Sequence, residues 1–491
     1  MASHGADLSQ LASWKSDWSK IRVAVVGLGK TGFSVADTLN ELGSKLLVVA
    51  ESAAPETLDI LEVLGVEYLI DVSPDALQSG ITSFGPDIVI VSPGVIPTSA
   101  IVLGAISAGV PVWTDTDLAW RLRDRFESKQ EWICITGTNG KTTTTEITEA
   151  MLLAGGVRAV ACGNIGKPIL DCIRDPAEFE VLVVELSSFQ LHYLDAIEPF
   201  SSAILNVAHD HLVWHGGFEN YRGAKGRMYQ NTKVACVYNL EDKTTEDLVQ
   251  AADVHEGARA IGFGLSAPAR SNVGYVEDLL VDRAFLEERA DKALEIANLE
   301  DLAGFGVLTP HLLSNIAAAT ALARSYGVSP NDCRTALRGF SVSAHRIELV
   351  GEVSGVRYIN DSKATNAHAA SASLRSFDKV VWILGGLLKG VDISELIGQF
   401  GPQLRGAVVI GLDRAEIREA FARLAPQVPV IEILEGDQVM QKAVSASSAL
   451  AISGDVVLLA PAAASMDQFV NYEERGEMFR AAVLGLGGEA L

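Results

Sequence analysis

"ICITGTNGKTTTTE", residues 133–146, sets a glycine–lysine–threonine loop directly after an apolar run of strand length and ahead of a stretch suited to a helix. The common phosphate loop reads G-x-x-x-x-G-K-[ST]. Here the spacing is shorter, because Gly137 lies three positions before Gly140 and Ile135 stands where the common loop has its first glycine. The strand-to-helix context still fits a phosphate cradle. Backbone N–H groups of Gly137, Thr138, Asn139 and Gly140 can cup the phosphates, with Thr143 just inside the helix. Lys141 can neutralise the phosphates and Thr142 can reach Mg²⁺. The stretch therefore predicts an α/β fold and an ATP site.

Outward from this loop, apolar runs of strand length alternate with amphipathic stretches, the pattern of parallel sheets covered by helices. A first block runs from "IRVAVVG" (21–27) through "KLLVVAES" (45–52) and "DIVIVSPGV" (87–95), and the polar "ESKQE" (127–131) reads as a linker. A second block opens at "WICITG" (132–137) and continues through "EVLVVEL" (180–186), "SAILNV" (202–207) and "VACVYN" (234–239), then reads as helix-rich to about residue 340. A third holds "KVVWILGG" (379–386), "GAVVIGL" (406–412), "PVIEIL" (429–434) and "VVLLAPAAAS" (456–465). The blocks predict three α/β domains over residues 1–128, 129–342 and 343–491. A chain of 491 residues at ~150 residues per domain leads to the same number.

With 39 basic and 62 acidic residues the net charge is −23. That balance argues against nucleic acid as a partner and for a soluble, self-repelling surface. An anionic substrate must then meet a local cluster of lysine and arginine. The five cysteines (Cys134, Cys162, Cys172, Cys236 and Cys333) form no C-x-x-C pair, which points to buried free thiols in a reducing compartment. The N-terminal stretch lacks the apolar centre of a signal peptide, and no apolar run reaches the ~18 residues of a membrane span. A cytoplasmic protein without a membrane partner is expected, with a monomer as the default.

A second glycine loop, Gly27-Leu28-Gly29-Lys30-Thr31-Gly32, also follows a strand and opens a helix. Glu51 closes the next strand nineteen residues after Gly32, where a dinucleotide fold carries its ribose-binding acid. The loop indicates a ligand bearing a diphosphate and leaves open which one; a tight turn without a ligand also fits. Glu185 ends "EVLVVE" and, near the phosphate loop, is placed to hold Mg²⁺. "NVAHDHLVWHGG" (206–217) offers three histidines without cysteine partners or an H-E-x-x-H motif. Zinc is therefore disfavoured, and His211 supported by Asp210 reads as a second Mg²⁺ ligand. Lys225, in "NYRGAKGRMYQ", reads alone as a helix-surface lysine. "AHRIE" (344–348) offers His345 and Arg346 to a phosphate, "NDSKATN" (360–366) reads as a polar turn capping a helix, and "GGLLKG" (385–390) can present Lys389 to an anion. No G-x-S-x-G or metalloprotease motif suggests a hydrolase.

Together these segments resemble the Mur ligases, the amino-acid-adding enzymes of peptidoglycan precursor synthesis. The family's shortened loop G-T-N-G-K-[ST] stands here as Gly137–Thr142. "ELSSFQL" (185–191), "NDSKATN" (360–366) and "SMDQFVNYEERG" (465–476) resemble the D-glutamate-adding branch. The likeness runs from Ile21 onward and implies an N-terminal Rossmann-like domain for a UDP-sugar, a central P-loop ATPase-like domain and a C-terminal Rossmann-like domain. It implies ATP-driven addition of D-glutamate to UDP-N-acetylmuramoyl-L-alanine through an acyl phosphate. Lys141 and Thr142 would serve the ATP phosphates and one Mg²⁺, with Glu185 on that metal. His211 and a carbamylated Lys225 would hold a second Mg²⁺. Asn315, Arg346, Asp361 and Lys363 would contact ATP. Gly29, Lys30, Thr31, Gly32, Glu51, Ser92, Pro93, Gly94, Asn164 and His211 would line the UDP-sugar site. Thr365, Lys389, Ser465 and Tyr472 would clasp D-glutamate.

The chain departs from the family pattern at Val213, where aspartate often follows "DHL", at Leu312 after His311, where asparagine is usual, and at Ala50, where the second strand often ends in aspartate. Rival readings are a Mur-type ligase for L-glutamate or diaminopimelate, a ligase like folylpolyglutamate synthase, a nicotinamide oxidoreductase and a non-catalytic nucleotide-binding regulator. The oxidoreductase leaves the ATP loop idle, and the regulator has no use for Glu185, His211 and Lys225 together.

Overall fold

The apolar run after Ile21 forms the middle of a five-stranded parallel sheet. Its strands are β1 (Arg22–Val26), β2 (Lys45–Ala50), β3 (Glu67–Ile70), β4 (Ile88–Val91) and β5 (Val112–Trp113), in the order β3-β2-β1-β4-β5. Val23 and Val25 pack into one core while Ala24 and Val26 pack into another, so the sheet is covered on both faces. That explains the unbroken apolar run. The chain winds outward from β1 to β3 and then returns to β4 on the other side. The β1/β4 junction is therefore the point where loops diverge and leave a crevice at the strand ends. The Gly27–Gly32 loop and the Ser92 turn both lie there. A Cβ on Gly32 would sit 2.0 Å from the Gly27 carbonyl oxygen, so only glycine lets the helix Lys30–Glu41 start this close.

The computed structural model describes residues 8–70, 73–127, 129–195, 197–341, 345–388, 392–434, 436–487 and 489–490. It contains two compact units, one running to Leu299 and including Ser314–Leu337, the other made of Glu300–Leu313 and the chain from Arg338. The first unit holds the sheet above and a second, nine-stranded one. That sheet comprises β6 (Glu131–Thr136), β7 (Ala159–Gly163), β8 (Val181–Glu185), β9 (Ser201–Ile204), β10 (Ala235–Asn239), β11 (Arg259–Phe263), β12 (Asn272–Val276), β13 (Leu279–Asp282) and β14 (Leu294–Asn298). Its order is β7-β8-β6-β9-β10-β11-β12-β13-β14. The strands from β7 to β12 are parallel, and β12, β13 and β14 pair antiparallel.

Four of these strands fall in the segment expected to be helix-rich after residue 239. They are short, and Gly262 and Gly274 interrupt their apolar pattern. The β12–β13 hairpin turns on Glu277 and Asp278 instead of the usual Asn-Gly or Asp-Gly pair, and Glu277 takes the left-handed conformation at φ 55. The linker expected at 127–131 is shorter than that span. Gln130 is buried, Glu131 already belongs to β6 and ion-pairs with Lys233, and Ser128 lies outside the described residues.

The second unit carries β15 (Glu348–Val353), β16 (Val356–Asn360), β17 (Val380–Gly385), β18 (Leu404–Ile410), β19 (Val430–Glu432), β20 (Val456–Leu459) and β21 (Glu489–Ala490), in the order β19-β18-β17-β20-β16-β15-β21. Trp382 and Leu384 enter one core and Val381 and Ile383 the other, so this sheet is also buried on both faces. The architecture is thus α/β with three sheets, as the alternation predicts. All five cysteines are buried free thiols. Among the described residues no single helix is long and apolar enough to cross a membrane.

Within the first unit the two sheets share one hydrophobic core that contains both Val23 and Trp132. The helix Asp115–Leu122 sits in this region, with Trp120 edge-on to Trp132 at 5.1 Å between ring centroids. Asp115 is buried here, with Gln190 Nε2 at 3.4 Å from its carboxylate. Burial raises its carboxyl to about 6, and the nearby Asp117 adds to the rise. An acid whose folded pKa exceeds its unfolded value binds more protons when folded, so its contribution to stability is full below the unfolded pKa and is lost as pH rises through the folded one. At neutral pH this costs the fold on the order of 3 kcal/mol. Asp115→Asn keeps an acceptor for Gln190 without the charge. The variant should melt several degrees above the parent at pH 7.5 to 8 and lose that advantage near pH 4, as followed by circular dichroism melts across pH.

Candidate active site

The phosphate loop leaves the end of β6, which lies between β8 and β9. Glu185 ends β8 on one side, and the segment 206–217 follows β9 on the other. Gly140 adopts φ 83 and begins the helix Lys141–Ala154, and a Cβ there would lie 2.4 Å from Asn315 Oδ1. The backbone thus packs directly on Asn315. Asn206 braces the loop at both ends of one residue: Asn139 N donates to its Oδ1 at 2.9 Å, and its Nδ2 donates to Asn139 O at 3.0 Å. Thr138 N donates to Asn206 O at 2.9 Å, and Thr138 Oγ1 lies 2.9 Å from the Tyr221 hydroxyl. Lys141 Nζ folds back on the carbonyls of Gly137 and Thr138 at 3.0 Å each. Thr142 and Thr143 are buried in the first turn of the helix.

Lys225 is not on the surface. It is 2% exposed, and its Nζ donates to Gly137 O at 2.9 Å. Burial, then the positive charge of Lys141, pushes its pKa well below the ordinary lysine value, against smaller upward pulls from Asp210 and Glu185. The amine is therefore driven toward its neutral, nucleophilic form. Tyr221 lies four residues earlier on the same helix, with the lysine Nζ 4.9 Å from its ring centroid. Sequence reasoning misses Tyr221 and Asn206; the only signals are the i, i+4 spacing of Tyr221 to Lys225 and the place of Asn206 directly after a strand.

Glu185 is buried, accepts from Asn164 Nδ2 at 2.9 Å through Oε1, and leaves Oε2 buried without a hydrogen-bond partner among the described residues. Such an oxygen is costly unless something positive meets it. His211 adopts φ 51, is half-exposed, packs its ring tilted against Phe189 at 4.7 Å between centroids and lies 3.5 Å from Asp210. Among the described residues no three His, Cys, Asp or Glu side chains gather into a metal cage. A cation here would rest on few protein groups and on phosphate oxygens, the manner in which Mg²⁺ is usually held. The oxygen donors of Glu185 and Thr142 fit that ion.

At the β1/β4 crevice, Gly29, Lys30 and Thr31 open the helix Lys30–Glu41. Ser92 N donates to Val26 O at 2.7 Å, and Ser92 Oγ is buried beside Gly27 without a hydrogen-bond partner among the described residues. Pro93 and Gly94 continue the turn, and Glu51 is exposed at the end of β2.

In the second unit, Asp361 is buried, receives a hydrogen bond from Ser373, and is raised to about 6 by burial. Arg346 lies close enough to pull it the other way. Lys363 Nζ stands 5.0 Å from the Tyr472 ring centroid, and Thr365 N donates to Lys363 O at 2.8 Å. Ser362 Oγ donates to Tyr472 O at 2.8 Å. Ser465 is buried. The 361–365 turn and Tyr472 therefore lie side by side in this unit. Asn366 caps the helix Ala367–Leu374 through Ala369 N, as its segment predicts. His345 is buried, 2.9 Å from Asn360 Nδ2 and 3.3 Å from Glu477, a structural setting within its own unit. Lys389 lies outside the described residues.

Residues 21–114 match the Mur ligase MurD-like N-terminal domain, 135–323 the Mur ligase middle domain, and 345–463 the Mur ligase glutamate ligase domain. The UDP-N-acetylmuramoylalanine–D-glutamate ligase of Leifsonia xyli subsp. xyli is 52% identical over 98% of this chain and 96% of its own. The enzyme of the same name from Streptomyces avermitilis is 47% identical over 96% of this chain and all of its own. Among solved structures, UDP-N-acetylmuramate-alanine ligase MurC from Thermotoga maritima superposes with a TM-score of 0.55 at 18% identity, over 95% of this chain and 99% of its own. MurF ligase from Thermotoga maritima, in complex with ADP, gives 0.55 at 19%, over 98% and 99%. At these identities the two structures speak for the fold.

The Asn206 side chain acts on the phosphate loop through the backbone of Asn139, so it separates loop shape from chemistry. Asn206→Ala should raise the Kd for ATP about tenfold, the loss of two backbone-directed hydrogen bonds. Binding of a UDP-sugar should stay within twofold. Isothermal titration with each nucleotide checks both values.

Proposed function

The chain belongs to the Mur ligase family, and we propose that it joins D-glutamate to the L-alanine carboxyl of UDP-N-acetylmuramoyl-L-alanine, with ATP split to ADP and phosphate. The observation that carries the reading is the meeting, at one phosphate loop, of Lys141, the buried amine of Lys225 and the unpartnered oxygen of Glu185. An oxidoreductase would need none of the three. Relatives that carry the D-glutamate name along nearly their full length support the choice of amino acid over L-glutamate or diaminopimelate.

In this reading residues 1–128 bind the sugar nucleotide, 129–342 bind ATP and 343–491 bind the amino acid. A carboxylate oxygen of the L-alanine end attacks the γ-phosphorus, the bond to the β,γ-bridging oxygen breaks, and ADP leaves an acyl phosphate. The amine of D-glutamate then attacks the acyl carbon, loses a proton, and phosphate departs as the amide forms. Two anions meet in the first step, so positive charge at the loop is what lowers the barrier. Lys141 supplies part of it, and loop N–H groups orient the phosphates.

Two Mg²⁺ ions, when bound, would supply the remaining charge neutralisation. Thr142 and Glu185 would hold one. For the other, the neutral amine of Lys225 would add to CO₂ with loss of a proton, and the carbamate and His211 would be the protein groups that hold the ion. Asn164 orients Glu185 and is assigned to the sugar nucleotide. Asn315, Arg346, Asp361 and Lys363 are assigned to ATP, and Thr365, Lys389, Ser465 and Tyr472 to D-glutamate. We assign the protein to the cytoplasm, acting as a monomer.

Phosphate release from ATP in the presence of UDP-N-acetylmuramoyl-L-alanine should depend on D-glutamate and not on L-glutamate, D-aspartate or meso-diaminopimelate supplied one at a time. Release with another amino acid, and none with D-glutamate, would redirect the assignment within the family. Lys225→Ala should lower kcat at least a hundredfold, and added acetate should restore part of it by standing in for the carbamate. Full activity in that variant without acetate would remove Lys225 from the mechanism.

A further inference from the structure

Both walls of the β1/β4 crevice are tied to the second sheet of the first unit. On one side, the helix Lys30–Glu41 that follows the glycine loop is held by Arg174, which meets Asp37 at 2.6 Å and Glu41 at 2.9 Å, and by a 2.5 Å hydrogen bond from Ser34 to Asp171. On the other, the turn after β4 is held by two aromatic donors. The Tyr193 hydroxyl donates to Val95 O at 2.9 Å, and Trp214 Nε1 donates to Gly94 O at 3.4 Å.

The positions of these donors matter. Tyr193 ends the helix Ser188–Tyr193, which begins three residues after Glu185, and Trp214 lies three residues after His211. The two segments that supply the metal-ligand candidates therefore also hold neighbouring carbonyls of the same turn. The donors are themselves fixed. Ser187 and Gln190 form a capping box at the start of the short helix, and Ser188 Oγ lies 3.0 Å from the buried His215 Nε2. Trp214 packs against Phe189 and His215 at 4.5 Å each, and against His192 at 5.3 Å. Burial raises the Tyr193 pKa, so its hydroxyl stays protonated and able to donate.

We infer that Tyr193 and Trp214 are positioning residues for the sugar nucleotide: they fix the Ser92–Val95 turn in register with Glu185 and His211, so that the ligand meets a turn already ordered. A ligand that must order a loop binds more weakly by that ordering cost. The inference rests on the reading above that this crevice takes the UDP-sugar, and it adds residues that touch neither phosphate nor metal.

Tyr193→Phe and Trp214→Phe each remove one donor and keep an aromatic ring. Each should raise the KM and Kd for UDP-N-acetylmuramoyl-L-alanine about fivefold, and the double variant should raise them by more than either. kcat and the KM values for ATP and D-glutamate should stay within twofold. Isothermal titration and steady-state kinetics on the full chain supply the readouts. If the parent binds the sugar nucleotide and the double variant binds it equally well, the positioning role is wrong while the proposed function stands. If kcat and all three KM values shift together with a fall in melting temperature, the residues are merely structural and the inference also fails. If the parent itself does not bind the sugar nucleotide, the proposed function fails and takes this inference with it.

Discussion

Two lysines converge on the carbonyl of Gly137, Lys141 at 3.0 Å and Lys225 at 2.9 Å, and the second is buried. Like charges this close cannot both be stabilised in a site shielded from water. The conflict is resolved by the surroundings. Lys141 lies at the open end of the loop and stays partly exposed, whereas Lys225 sits behind it, where loss of its proton is the less costly outcome. A buried amine without charge is of little use as an electrostatic group. It is suited instead to act as a nucleophile, the role proposed for it above toward CO₂. The low pKa and the proposed carbamate are therefore two consequences of the same packing.

That packing follows from strand order. β6 lies between β8 and β9, so the phosphate loop at its end has Glu185 on one flank and the 206–217 segment on the other. The helix Phe218–Gly226 then brings Tyr221 and Lys225 under the loop from behind. Asn206 satisfies the backbone N–H and carbonyl of Asn139, and Thr138 Oγ1 accepts from Ala208 N, which ties the loop to the 206–217 segment. Preorganisation of this kind reduces the rearrangement needed as negative charge develops during phosphoryl transfer. The shared core containing Val23 and Trp132 extends the same rigidity to the first sheet.

Much of this is legible in the sequence where burial is complete. Strands such as β1, β6, β8 and β17 are covered on both faces and read as unbroken apolar runs that stop at a glycine or an acid. The strands from β11 to β14 are not legible. They are short, some pair antiparallel, and their hairpin uses an acidic residue at positive φ, so neither a long apolar run nor the usual turn residues mark them. The site divides in the same way. Loop residues announce themselves by spacing, and Lys225 emerges only through family resemblance, since a lysine on a helix reads as solvated until the fold buries it. Tyr221, Asn206, Tyr193 and Trp214 act through hydrogen bonds to residues between 67 and 120 positions away, and no local pattern encodes those partners.

In the second unit the organising group is Arg475, fully buried and bonded to one serine and one further backbone carbonyl. Its guanidinium donates to Ser362 Oγ at 3.0 Å, Ser362 O at 2.8 Å and Ala463 O at 3.3 Å. Burial lowers its pKa to about 10, so it keeps its charge at neutral pH. Burying such a charge is costly, and hydrogen bonds to fixed dipoles offset only part of the cost. What the fork secures is geometry. Ser362 lies between Asp361 and Lys363, Ala463 lies two residues before Ser465, and Arg475 is on the helix that Tyr472 begins. One planar cation thus sets three chain segments against one another, and each bears a residue assigned to ATP or to the amino acid. A flexible lysine at this position could not reproduce that arrangement, because it lacks the rigid fork that holds several acceptors at once.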